Sequence, residues 1–354
     1  MAPRRVTRAR PGAPNPLILR WDLDKTYLKT EFDSVRQLVR IPFEKPQDKV
    51  AVPGAVALIR GLRETAAHAG RTVQVYFISA SPPQIAKAVK EKLALDGIEY
   101  DGIVFKNQWQ HIVRGRFRNL REQVGYKLTE LLASRRDTPV TADEILFGDD
   151  WESDPLIYSL YADVVAGRVD RDQLIDVLTV IGVDTRLIER AVELAGSVPR
   201  SDGIRRIYIN LERRTPPTNF HAFGPRLVPT FNYLQAAACL FEDGYLTLPA
   251  VAAVAEHLIS AGGSTPERLA NALADVRRRG HLARTSAIAV REYLHARGLL
   301  PRRRHSAVQR SWWERLWPWE QLRQWVRLLT ETPPPAAPTA IDYRALVTDW
   351  RAGR

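Results

Sequence analysis

Leu17-Ile18-Leu19-Arg20-Trp21-Asp22-Leu23-Asp24-Lys25-Thr26 decides how the rest of the chain is read. A short, mostly apolar run ends in two carboxylates separated by one residue. Its length suits a buried strand, with the acids at the strand's end. Two further segments repeat the arrangement. Val73 to Ile78, rich in β-branched and aromatic side chains, runs into Ser79-Ala80-Ser81. Ile145-Leu146-Phe147 runs into Gly148-Asp149-Asp150-Trp151-Glu152-Ser153-Asp154. Ile103-Val104-Phe105 reads as another strand, Ala162 to Ala166 is a candidate for a fifth, and Ile204 to Leu211 alternates like a further one. Helical stripes lie between them. Ala55, Leu58, Ile59 and Leu62 follow Pro53-Gly54; Ile85, Ala88, Val89 and Leu93 form a second stripe; Leu128, Leu131 and Leu132 mark a third. Strands alternating with helices predict an α/β fold: three α/β/α layers around a mostly parallel sheet.

Composition bounds the rest. The chain has 354 residues, 45% hydrophobic and 26% charged, enough for a packed core and against global disorder. Fifty-two basic residues against 40 acidic ones leave a net charge of +12, which favours phosphate-bearing partners without choosing among lipid, nucleic acid and metabolite. A single cysteine, Cys239, excludes an internal disulfide framework and a cysteine zinc cluster, and fits a reducing, cytoplasmic setting. The longest uncharged apolar run, Leu227 to Phe241, is too short to span a bilayer. Residues 1–15, dominated by Arg, Pro and Gly, read as a disordered basic arm rather than a signal peptide. The expected organisation is an α/β domain over 16–213 with a helical stretch at about 171–203, a helical region over 214–305, and a Trp/Arg-rich tail with a Pro-rich linker over 306–354.

The strand-end acids carry the chemistry. In a parallel sheet the carboxyl ends of the strands meet along one edge, where ligands bind. Acids distant in sequence then converge. Two like charges about 4 Å apart repel by roughly 4 kcal/mol at an effective dielectric of 20. A hard divalent cation with oxygen ligands removes that repulsion, and Mg²⁺ is the usual choice where a phosphate completes the shell. A carboxylate can attack phosphorus, and a second acid two residues along can protonate the leaving oxygen and then deprotonate water. A hydroxyl and a lysine can hold the transferring oxygens.

These residues resemble the haloacid dehalogenase superfamily of phosphatases, whose sheet is Rossmann-like. Asp22-Leu23-Asp24-Lys25-Thr26 resembles its first motif, Phe77-Ile78-Ser79 its second, and Gly148 to Asp154 its fourth. The resemblance implies Asp22 as nucleophile and metal ligand. It implies Asp24 as acid/base, with its carbonyl on the metal, and Ser79 as a phosphate contact. Asp149 and Asp154 become metal ligands. The third-motif lysine is sought among Lys87, Lys90, Lys92, Lys106 and Lys127. Lys127 is favoured because it starts the helix leading into Ile145, with Lys106 as the alternative. Thr26, Ser81 and Arg116 are further substrate-contact candidates. Within the superfamily, Ser79-Ala80-Ser81-Pro82 and Gly148 to Tyr158 are similar to the phosphatidate phosphatase catalytic domain of the fungal actin-patch type, and Arg206-Ile207-Tyr208-Ile209 resembles that family's last core strand. Lys25, Asp150 and Trp151 depart from its usual residues.

The segments between motifs are too short for a full lid domain, and in the superfamily it resembles an open site implies a bulky substrate: a lipid, a nucleic-acid end or a protein. The expected activity is Mg²⁺-dependent hydrolysis of a phosphomonoester, with a phosphatidate-like lipid as substrate. A nucleic-acid-end phosphatase and a catalytically inactive scaffold are the alternatives. Five of the nine tryptophans fall between Trp312 and Trp325. With Arg323 and Arg327, they make residues 311–331 a candidate for peripheral membrane contact or for packing on protein.

Overall fold

A computed structural model of the protein describes residues 14–29, 50–79, 83–105, 116–151, 153–301 and 340–351. β1 (Leu17–Asp22) is buried along its whole length. It feeds a tight loop and a small antiparallel ribbon, β2 (Leu28–Lys29) with β3 (Val50–Ala51). α1 (Ala55–His68) then leads to β4 (Val73–Ser79), α2 (Ala86–Leu95) to β5 (Gly102–Phe105), and α3 (Arg116–Arg136) to β6 (Asp143–Asp149). α4 (Asp154–Val165), α5 (Arg171–Ile181) and α6 (Thr185–Ser197) precede β7 (Ile204–Asn210), which is followed by β8 (Leu227–Thr230). α7 (Tyr233–Glu242), α8 (Leu248–Ser260), α9 (Pro266–Arg278) and α10 (Arg284–Ala296) come next, and α11 (Tyr343–Arg351) lies near the end.

The six-stranded sheet has the order β5-β4-β1-β6-β7-β8, and every pairing is parallel. The chain leaves β1 toward β4 and β5, then returns to build the other half from β6. The β1/β6 boundary is therefore the switch point at which open α/β sheets bind ligands. Register aligns the ends. Asp22 pairs with Ile78, one residue before Ser79, and Asp149 pairs with Asn210.

Strand residues alternate between two cores, as the pleat requires. Leu19, Trp21, Phe77, Phe147 and Tyr208 face one layer, with α1, α2 and α7–α10. Trp21 stacks on Phe147 with ring centroids 3.9 Å apart. Ile78, Leu146, Ile207 and Ile209 face the other layer, with α3–α6 and α11. The helical region after β8 shares a core with the sheet. Gly61 permits close contact between α1 and α8, since a Cβ there would lie 2.9 Å from Ala250 Cβ. Short polar residues start several of these helices. Asn232, Thr247 and Thr265 accept backbone N–H bonds at the starts of α7, α8 and α9, and Asp170 with Gln173 forms a reciprocal capping box on α5.

Two local expectations are corrected. Ala162–Ala166 is not a strand: Ala162 to Val165 end α4 and Ala166 caps it. Every residue of α4 is buried, so it lacks the polar stripe that distinguishes a helix from a buried strand in sequence. The region 214–305, expected to be helical, begins its apolar run Leu227 to Phe241 with a sheet strand, β8, before most of α7. β8 contains Pro229, which suits its place at the sheet edge. Among the described residues, no helix is long and apolar enough to cross a membrane. The 1–13 part of the basic arm and the 311–331 candidate lie outside the described residues.

Candidate active site

Asp22, the last residue of β1, is 1% exposed, and Asp149, the last residue of β6, is fully buried. Asp154 opens α4, where an acid suits the positive end of the helix dipole, and it too is fully buried. One carboxylate oxygen from each of the three lies within 4.8 Å of the others. Asp154 bends back over the strand end, and its Oδ2 accepts the Asp149 N–H at 3.3 Å. Gly148 makes that approach feasible: a Cβ there would lie 2.5 Å from Asp154 Oδ2 and 2.8 Å from Tyr158 Cε2. Trp151 N–H donates to Asp149 Oδ1 at 2.6 Å and closes the turn.

Lys127 projects from α3 into this cluster and is completely buried. Its Nζ donates to Asp22 Oδ1 at 2.7 Å and to Asp154 Oδ1 at 2.6 Å. Three carboxylates this close repel one another when ionised, and a cation held among them relieves that repulsion. The donor set is all carboxylate oxygen, which suits a hard divalent cation rather than a soft one. The residues present therefore fit a metal of the Mg²⁺ class. Burial, with Asp154's charge adding to it, holds the Tyr158 hydroxyl far above the usual phenol range. Tyr158 is thus a neutral donor beneath the site, bonded to the Phe147 carbonyl at 3.4 Å.

Asp24 lies beyond the strand in a half-buried turn, and its Oδ2 accepts the Ser79 hydroxyl at 3.0 Å. The turn is tight: Leu28 N–H bonds Leu23 O at 2.8 Å and Lys25 N–H bonds Leu28 O at 2.7 Å, with Lys25 at φ 59°. Thr26 is fully buried, and its Oγ1 has no hydrogen-bond partner among the described residues. Asp22, Asp24, Ser79, Lys127, Asp149 and Asp154 thus meet at one edge of the sheet. Ser81, Lys106 and the side chain of Arg116 lie outside the described residues. Asp150, beside Asp149 in the chain, points elsewhere. Its carboxylate accepts the backbone N–H groups of Arg213 at 2.9 Å and Thr215 at 3.2 Å.

Sequence reasoning missed two positioning residues. Asn210, ending β7, donates to Lys25 O at 3.0 Å and so ties the first acid turn to the neighbouring half of the sheet. The rule that singled out polar strand ends elsewhere applies to it equally. Tyr233, on α7, donates to Thr26 O at 2.6 Å from a region 207 residues away, and no local signal marks it.

Residues 21–171 match the family model described as phosphatidate phosphatase APP1, catalytic domain. The matched segment begins at the end of β1 and closes just after α4, so it contains every acid of the cluster, Ser79 and Lys127. It leaves out Asn210, Tyr233, α5 beyond its first residue and the helices from α6 onward. Neither the curated proteins nor the solved structures include a match to this chain.

Proposed function

We propose that this protein is a Mg²⁺-dependent phosphatase that hydrolyses a phosphomonoester, a phosphatidate-like lipid, through an aspartyl-phosphate on Asp22. The observation that carries the reading is the buried Asp22–Asp149–Asp154 cluster at the sheet's switch point, within a segment matching a phosphatidate phosphatase catalytic domain. Asp22, Asp149 and Asp154 would hold the metal, together with the Asp24 carbonyl. The bound cation supplies positive charge that screens an anionic nucleophile from an anionic substrate.

Asp22 attacks phosphorus, and the ester P–O bond breaks. Asp24 donates its proton to the leaving alcohol oxygen, then takes a proton from the water that attacks the aspartyl-phosphate. Inorganic phosphate leaves and Asp22 is restored. Ser79, which is hydrogen-bonded to Asp24, and Lys127, which is bonded to Asp22 and Asp154, would hold the transferring oxygens. Lys127 also keeps Asp22 oriented before substrate arrives.

The test is phosphate release from a panel of esters, including p-nitrophenyl phosphate and phosphatidate vesicles, with Mg²⁺ or with chelator. Wild type should turn over with Mg²⁺ only. Asp22→Asn should reduce the rate by on the order of 10³-fold or more. Metal-independent turnover, or full activity in Asp22→Asn, overturns the mechanism. Turnover of other esters but not phosphatidate overturns the lipid assignment alone.

A further inference from the structure

The loop after β7 joins the site to a surface that the proposed reaction does not use. Asp150 pins the loop through the backbone amides of Arg213 and Thr215, and Arg214 between them takes φ 56°, rare for a residue with a side chain. The guanidinium of Arg213 lies over the Trp151 ring, 4.1 Å from its centroid, and Lys25 Nζ lies 3.1 Å from the same centroid. Trp151 is 39% exposed, although its backbone is bonded to the site acid Asp149. Arg214 lines an open cavity of about 680 Å³ with Phe231, Arg268 and Arg278. Phe231, just past the end of β8, is 45% exposed. The cavity's acid, Asp275, is already bonded to Arg278 and Arg279 at 2.8 Å each.

Two exposed aromatic rings, each flanked by cations, therefore run along the edge of the sheet that carries the acids. Aromatic rings beside arginine and lysine suit the polar–apolar boundary of a bilayer, where the ring sits among headgroups and the cations meet phosphates. A nucleic-acid strand fits less well. It needs an open ring face for base stacking, and the Trp151 ring already carries Lys25 and Arg213.

We propose that this rim seats the protein on an anionic lipid bilayer with the Asp22 edge facing the membrane. A lipid phosphate then enters from the plane of the surface. The inference rests on the lipid reading above and adds the surface that presents the substrate.

Full-length Asp22→Asn protein is co-sedimented with phosphatidylcholine vesicles, with and without a phosphatidylserine fraction. The same background carries Arg213→Ser/Arg214→Gly/Phe231→Ser, or separately Phe231→Ser/Arg268→Ser, which leaves the pinned loop intact. Matched thermal unfolding midpoints confirm folding. The parent should pellet with the anionic vesicles only, and each variant should lose about tenfold or more in partitioning. Equal binding by parent and both variants overturns the proposal, as does binding to both vesicle types alike. So does a parent that ignores vesicles but binds a DNA oligonucleotide through the same residues. Turnover of soluble p-nitrophenyl phosphate by wild type, measured without vesicles, reports separately on the phosphatase reading.

Discussion

β1, α3 and β6 each contribute to two buried charge clusters, one near the carboxyl end of the sheet and one deeper. In the deeper cluster, Arg20 Nε donates to Glu144 Oε2 at 2.6 Å, and Arg135 Nη1 lies 2.9 Å from Glu144 Oε1 in ion-pair contact. Ser134, Thr138 and Tyr161 hydroxyls complete the network. Burial favours loss of the Arg20 charge, but Glu144's charge and hydrogen bond outweigh it, so the guanidinium holds its proton more tightly than usual. Asp22, Lys127, Asp149 and Asp154, only two residues further along β1 and two turns away on α3, instead bring three carboxylates around the Lys127 ammonium. A buried ionic cluster is weak evidence for stability in either case. Composition separates them: two guanidinium groups share one carboxylate in the deeper cluster, whereas three carboxylates that could hold a cation converge in the other.

Lys127→Met strikes that difference hardest, because it removes the ammonium that bridges Asp22 and Asp154. We expect turnover to fall by on the order of 10²-fold or more and stability to fall by about 3–5 kcal/mol in chelator, part of it recovered with Mg²⁺. Urea unfolding with and without the metal checks it. Glu144→Gln attacks the deeper cluster and strands two guanidinium groups. A loss of about 3 kcal/mol is expected with turnover per folded molecule unchanged, and the deficit relative to wild type should be the same with and without Mg²⁺. Loss of activity beyond loss of folded protein would show that the clusters are coupled.

Mg²⁺ alone should raise the unfolding midpoint of wild type, by about 2.7 kcal/mol at a hundredfold excess over its dissociation constant. Asp149→Asn should blunt the rise, and Glu144→Gln should not. The smallest effect separates acid sensitivity of the fold from that of the site. Burial, helped by Arg279 and Arg206, lowers His281 from 6.5 to about 4. The unfolded chain then binds the extra proton first, so the stability tied to neutral His281 is present above pH 6.5 and drains away as pH falls toward 4. The loss is about 3 kcal/mol at most. His281→Gln should flatten the unfolding free energy across that window without moving the pH profile of turnover.

Much of this was legible in the chain because local patterns carried it. Apolar runs ending in acid or hydroxyl residues placed β1, β4 and β6 with their polar ends, and the amphipathic stripes of α1 and α2 stood out. α4 escaped because burial on all sides erases periodicity, and β8 because its four residues merge with α7 into one apolar run. Asp150 looked like Asp149 by composition. Only the fold turned one toward the acid cluster and the other toward the amides of Arg213 and Thr215.

Order along the chain thus determined which residue types could reach the sheet's carboxyl edge, since strand direction and pleat follow from local pattern. Tertiary structure alone decided the partnerships. It put Lys127 between Asp22 and Asp154, ran Tyr233 to the Thr26 carbonyl, and set Lys25 and Arg213 over Trp151. Those contacts join residues as many as 207 positions apart, and they exist because packing closes distances that no local preference can encode.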